Sequence, residues 1–251
     1  MTAMTPTAVQ DIPALTRTEV GTLARVEYQR FLDTLRALRP EDASRSTDCT
    51  RWTVKDVVAH VVGETEAFAS LRETIHQWRL GPRARRKIGA AQLIDGVNDV
   101  QVRERRHLTL DQLLERMTAA AGPAARTRAN LPAPLRAIPV SLPAVGRRSL
   151  GYLYDRVITR DVWMHRVDIA RAVDSPLTLT TDHDGRLIAD IVADWATTHS
   201  DPFHLQLTGP GGGTYTRGQP TAPTDIDAVE FVRIISGRAT GQGVLAHPLP
   251  L

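Results

Sequence analysis

The stretch Arg160-Asp-Val-Trp-Met-His-Arg-Val-Asp-Ile-Ala-Arg171 decides the fold. Residues three and four apart on a helix share a face, so Asp161, His165 and Asp168 form one polar stripe. Around them Val162, Trp163, Met164, Val167, Ile169 and Ala170 are apolar over most of the circumference, which predicts a helix buried on nearly all sides. A carboxylate and an imidazole held there need partners.

The rest of the chain is patterned to surround that helix. It opens near Ser149 and stops before Asp174-Ser-Pro176. Upstream, Val20, Leu23, Val26, Phe31, Leu35 and Leu38 recur at helical spacing, which predicts a first helix over 17–38. Thr53-Val-Lys-Asp56 carries a helix-start signature, and the apolar face of Val57, Val58, Val61, Val62 and Phe68 extends a second helix to about Leu80, where Gly81-Pro82 is expected to stop it. Two more helices are expected over 90–107 and 110–129, the latter starting at Thr109-Leu-Asp-Gln112. Pro132, Pro134, Pro139 and Pro143 make 131–148 an irregular connection.

The last 75 residues change character. A helix is expected over 182–199, followed by a half-buried strand in Phe203-His-Leu-Gln-Leu-Thr208, a turn at Gly209–Gly213 and a returning strand at 214–217. A final helix is expected from about Thr224 to the Gly237 cap. The fold class is therefore mainly α, a helical bundle over 17–176 followed by a small α+β domain over 177–251, with residues 1–16 frayed for want of any periodicity.

Composition narrows the function. The net charge of +3 is slight, and Lys55 and Lys87 are the only lysines among 31 basic residues, so the base content is an arginine preference. The cluster Arg83, Arg85, Arg86 and Lys87 lacks interleaved aromatics, and no nucleic-acid partner is expected. No apolar run approaches the ~20 residues of a membrane span, and Met1–Arg17 lacks a secretory leader, so a cytoplasmic protein with no membrane partner is expected. The single cysteine, Cys49, excludes an internal disulfide and a multi-cysteine metal site.

The chemistry rests on three residues. A carboxylate-x-x-x-His pair supplies two metal ligands from one helix of a bundle, here Asp161 and His165, and His60, set among Val57, Ala59, Val61 and Val62, is the candidate third. Glu64 stands one turn later as an outer-shell or alternative ligand, and Asp168 is placed outside the ligand set, orienting His165 or pairing with Arg166 or Arg171. The same pattern also suits hydrogen-bonded core histidines with Asp161 paired to Arg156 or Arg160. No partner pattern marks His76, His107, His183, His199, His204 or His247, which are expected at the surface.

Arg51-Trp-Thr-Val-Lys-Asp-Val-Val-Ala-His60 and Arg160–Arg171 resemble the two signatures of the mycothiol-dependent maleylpyruvate isomerase family, and Asp225-Ile-Asp-Ala-Val-Glu-Phe-Val-Arg-Ile-Ile-Ser-Gly-Arg238 is similar to its C-terminal segment. The resemblance implies a DinB-like four-helix bundle holding a divalent metal, generally zinc, ahead of a small domain resembling sterol-carrier folds. It implies mycothiol as thiol cosubstrate and Arg238 as a catalytic arginine offered to the site. The family's founding activity has Glu where this chain has the shorter Asp161. The implied function is activation of the thiol as a thiolate for cis/trans isomerisation of, or S-transfer to, a small electrophile. A zinc-dependent hydrolase without thiol and a non-catalytic metal-stabilised binding protein are the alternatives, and a monomer and a homodimer both suit the sequence.

Overall fold

The computed structural model describes residues 6–142, 146–219 and 222–249. In chain order it runs through strand β1 (Thr7–Ala8), helices α1 (Arg17–Ala37), α2 (Val54–Ala69), α3 (Leu71–Ile88), α4 (Leu93–Arg105), α5 (Leu110–Ala129) and α6 (Ala133–Arg136), and strands β2 (Pro139–Leu142) and β3 (Gly146–Ser149). There follow α7 (Leu150–Tyr152), α8 (Ile158–Ala172), α9 (Arg186–Trp195), β4 (Phe203–Thr208), β5 (Gly213–Arg217), β6 (Thr224–Asp227) and α10 (Ala228–Ile235). Among the described residues no helix is long and apolar enough to cross a membrane.

Two compact units emerge. One comprises 17–138 and 149–176; the other gathers the described residues of 1–16, 139–148 and 177–251. In the helical unit α1, α5, α2 and α8 pack in that cyclic order as a four-helix bundle, and the α3–α4 hairpin lies against α2. The bundle core gathers the predicted Phe31, Leu35, Val57, Val58, Val61, Val62 and Val162 in one cluster, joined by Met117 of α5. The capping boxes at Thr53 and Thr109 form as their sequences predict, Thr53 Oγ1 accepting from the Asp56 N–H at 3.3 Å and Thr109 Oγ1 from the Gln112 N–H at 3.2 Å.

Helix α8 is buried at every position from Ile158 to Ala170 except Asp161. A π-helical turn, Leu153–Val157, leads into it. Such a turn loosens the regular backbone bonding, and the buried Arg128 guanidinium donates to the Tyr154 carbonyl there at 2.8 and 2.9 Å. A buried ion pair, Arg166 Nε to Glu27 Oε1 at 2.7 Å, ties α8 to α1.

Several boundaries differ from the sequence expectation. The second helix does not run to Leu80: Ser70 is extended (φ −143°, ψ 116°), ends α2 and caps α3 by accepting from the Glu73 N–H. Gly81-Pro82 then lies inside α3 rather than ending it, because proline removes only one backbone donor and Gly81 is used for packing. A Cβ on Gly81 would come within 2.8 Å of Val97 Cγ2, and one on Gly96 within 2.2 Å of the Gly81 carbonyl oxygen, so these glycines set the close approach of α3 and α4. The proline-rich connection holds the short α6 and a two-stranded β2–β3 ribbon, with 143–145 outside the described residues.

In the second unit a four-stranded sheet has the order β1-β5-β4-β6. Strands β4 and β5 form the predicted antiparallel hairpin, Leu205 opposite Tyr215. The turn requires Gly209, at φ 85°, and Gly212, where a Cβ would meet the Leu207 carbonyl oxygen at 2.3 Å. Residues 6–16 are not frayed: Thr7 and Ala8 pair in parallel with Tyr215 and Thr216, and Arg186 holds the Pro13 carbonyl at 2.8 Å. A two-residue strand has no period to read, yet it covers an edge that would otherwise present unpaired backbone groups. Residues 1–5 lie outside the described residues. Thr224–Asp227 likewise forms a strand parallel to β4 rather than the start of a helix. The helix begins at Ala228 because Asp227 Oδ1 accepts from the N–H groups of Val229 and Glu230. The expected 182–199 helix narrows to a π-helical turn at Thr181–Gly185 and α9.

Alanine in place of glycine inside a helix ordinarily stabilises it by ~0.5–1 kcal/mol. Gly96→Ala is expected to do the reverse, lowering the unfolding free energy by about 1–3 kcal/mol, since backbone rather than a mobile side chain meets the added methyl. Denaturant titration decides this, and a raised midpoint contradicts the packing described.

Candidate metal centre

His60 lies in the second turn of α2, and Asp161 and His165 lie one turn apart on α8. The two helices meet in the bundle and bring the three side chains together. One ligand atom from each lies within 4.8 Å of the others. Asp161 Oδ2 is 3.3 Å from His60 Nε2, and its Oδ1 is 3.6 Å from His165 Nε2. Both rings are buried, 3% exposed, and stand edge to face with centroids 5.0 Å apart.

The hydrogens of these rings point outward from the cluster. His165 Nδ1–H donates to Asp168 Oδ2 at 2.9 Å, and His60 Nδ1–H to Gln101 Oε1 at 2.7 Å. A neutral imidazole has one N–H, so both Nε2 atoms present lone pairs toward the Asp161 carboxylate. Two lone pairs and a negative charge facing one another require a proton or a metal cation between them. The donor set of two imidazoles and one carboxylate fits zinc with a position open. In the metal-free protein, burial disfavours a charged His60, but bonding to Asp161 and the charges of Asp161 and Glu64 outweigh it, so the ring's pKa is raised.

Of the outlying residues, Asp168 orients His165, fully buried, while Arg166 is taken by Glu27 and Arg171 by Asp48 at 2.8 Å. Glu64 lies outside the triad, with Oε2 sealed from solvent and without a hydrogen-bond partner. Burial and then the Asp161 charge push its pKa up to about 8, against the opposing pull of His60 and Arg128. Arg238 belongs to the other unit; it follows the left-handed Gly237 (φ 82°) after α10, half-buried, its backbone N–H bonded to the Arg233 carbonyl at 2.9 Å.

Sequence reasoning missed three neighbours. Trp52 stacks obliquely on both histidines, 4.8 Å from His60 and 5.8 Å from His165 between ring centroids. It belongs to the Arg51–His60 stretch, but nothing in the spacing showed that the chain ahead of the Thr53 cap folds back over the site. Cys49, in the same loop, offers its sulfur within 4.8 Å of ligand atoms on His165 and Asp168. Gln101, on α4, carries no signal in a helix of ordinary amphipathic pattern.

The second unit holds a further cluster, His199, Asp201 and His247, for which sequence gave no pairing. His247 Nε2 lies 2.8 Å from Asp201 and stacks on His199 at 4.3 Å. The Arg217 guanidinium donates to His199 Nδ1 at 2.8 Å, which leaves the neutral ring's hydrogen on the buried, unpartnered Nε2. Burial, Arg217 and His247 push this histidine's pKa down to about 4. With its Nδ1 lone pair taken by a permanent cation and its hydrogen on Nε2, this ring presents no free lone pair, so the cluster does not suit a metal.

Residues 24–170 match the family described as the mycothiol maleylpyruvate isomerase N-terminal domain. The chain belongs to this family. The family is one of enzymes, and a crystal structure of the mycothiol-dependent maleylpyruvate isomerase, and one of a histidine-to-alanine mutant of it, are each similar in fold to this chain. Each match has 17% identity, covers 93% of both chains and has a TM-score of 0.59. No curated protein matches the sequence.

Because Glu64 is held protonated when folded, metal-free protein takes up a proton on folding between pH 4.5 and about 8, and its stability falls as pH rises through that range. Glu64→Gln is expected to flatten that fall, matching wild type near pH 4.5 and exceeding it near pH 8. Chelator-treated protein melted across the range tests this; parallel curves contradict the assignment.

Proposed function

We propose that this protein is a metal-dependent enzyme, with zinc held by His60, Asp161 and His165, that uses mycothiol as a thiolate to isomerise a small electrophile or to become joined to it through sulfur. The observation that carries this reading is the arrangement of both Nε2 lone pairs around Asp161, with both Nδ1 hydrogens engaged elsewhere. Membership of the family supports the thiol, since its described name and the two similar crystal structures specify mycothiol.

Bound there, zinc supplies positive charge that favours the thiolate form of a thiol, the nucleophilic form. The protein's own residues do the remainder. Asp168 and Gln101 fix the two rings, Asp161 offsets the cation's charge, and Trp52 packs against the imidazoles. Glu64, with a carboxylate oxygen sealed from solvent, is proposed to exchange a proton with the reacting group. Arg238 is proposed to steer an anionic substrate. A second reading is hydrolysis without thiol, with Glu64 or Asp168 as base, which thiol dependence separates from the first.

Elemental analysis of purified protein is expected to find about one zinc per chain, falling below about a tenth in His60→Ala and in His165→Ala. Arg238→Ala is expected to keep the metal and lose turnover of an anionic electrophile in the presence of mycothiol. Full zinc retention in His165→Ala overturns the ligand set, and turnover independent of mycothiol overturns the thiol role.

A further inference from the structure

The bond that fixes His60 is the end of a buried relay. Gln101 Nε2 donates to Gln77 Oε1 at 2.8 Å, and Gln77 Nε2 donates to the Gly63 carbonyl at 2.8 Å and to Glu73 Oε1 at 2.9 Å. Glu73 also receives the Arg105 guanidinium at 2.9 Å, and Arg105 pairs with Glu66. Gln77, Gln101 and Arg105 are each at most 4% exposed.

The direction of this chain follows from its far end. Glu73 and the Gly63 carbonyl are acceptors, and both lie on the amide nitrogen of Gln77, whose two hydrogens they use up. Turning that amide round would set oxygen against oxygen at both places. Gln77 therefore presents its oxygen to Gln101, Gln101 its nitrogen to Gln77, and Gln101 its oxygen to His60. An oxygen at 2.7 Å from Nδ1 requires Nδ1–H, which leaves Nε2 free to bind a cation. Each donor points from the histidine toward the Glu73 carboxylate, an alignment in which successive bonds polarise one another.

Three glycines make room for the relay. A Cβ on Gly63 would lie 2.7 Å from Gln101 Cβ, and the Gly81 and Gly96 contacts bring α3 against α4. These helices thus approach closely where Gln77 and Gln101 must touch.

We propose that Gln101 and Gln77 are positioning residues that set the His60 tautomer, with Glu73 fixing the polarity of the relay. This rests on the metal reading above but is testable without it. Competition titration with zinc is expected to show Gln101→Met, similar in size but without an acceptor, binding about 10–100-fold more weakly than wild type. In parallel, ¹⁵N NMR of the metal-free proteins reads His60 directly: Nδ1 carries hydrogen in wild type and is bare in Gln101→Met when the ring is neutral. Equal zinc affinity in Gln101→Met, or a bare Nδ1 in wild type, overturns the proposal. A wild type that binds no zinc overturns the metal reading instead, and the Nδ1 signal alone then decides the relay.

Discussion

A carboxylate set between two buried imidazoles is the arrangement on which the helical unit turns, because a proton or a cation relieves the lone pairs and negative charge that meet there. Asp161 occupies that position, and the elements around it are held to match. The π-helical turn before α8 is stabilised by Arg128, and the Glu27–Arg166 pair ties α8 to α1. On the other side, Asp168 and Gln101 draw the two Nδ1 hydrogens away from the centre.

The surroundings sharpen the electrostatics. Glu64 adds a second carboxyl near Asp161, and its own burial, then the Asp161 charge, push it toward its neutral form in the absence of metal. A cation at the triad relieves that conflict. Metal binding at the proposed centre would therefore be linked to folding of the helical unit through the same few atoms, as is general where ligands must shed protons to bind.

Much of this was legible in the sequence because it obeys helical periodicity. The three-four spacing of Asp161, His165 and Asp168 put them on one face, and the apolar neighbours of His60 placed it inside. The Thr53 and Thr109 starts were readable from their capping chemistry. What escaped was set by packing between segments: the break at Ser70, the continuation through Gly81-Pro82, and strands of two and four residues that take their form from a neighbouring strand. Gln101, Gln77 and Trp52 escaped for the same reason, since a glutamine's role depends on which helix lies opposite it. The glycines that permit the approach, Gly63, Gly81 and Gly96, look in sequence like weak points in helices.

X-ray absorption at the zinc edge of the metal-loaded protein, with and without mycothiol, tests the central claim most directly. The expected spectrum has a nitrogen and oxygen shell at about 2.0–2.1 Å containing two imidazoles, joined on addition of mycothiol by one sulfur at about 2.3 Å. A shell without imidazole scattering, or one that mycothiol leaves unchanged, contradicts it.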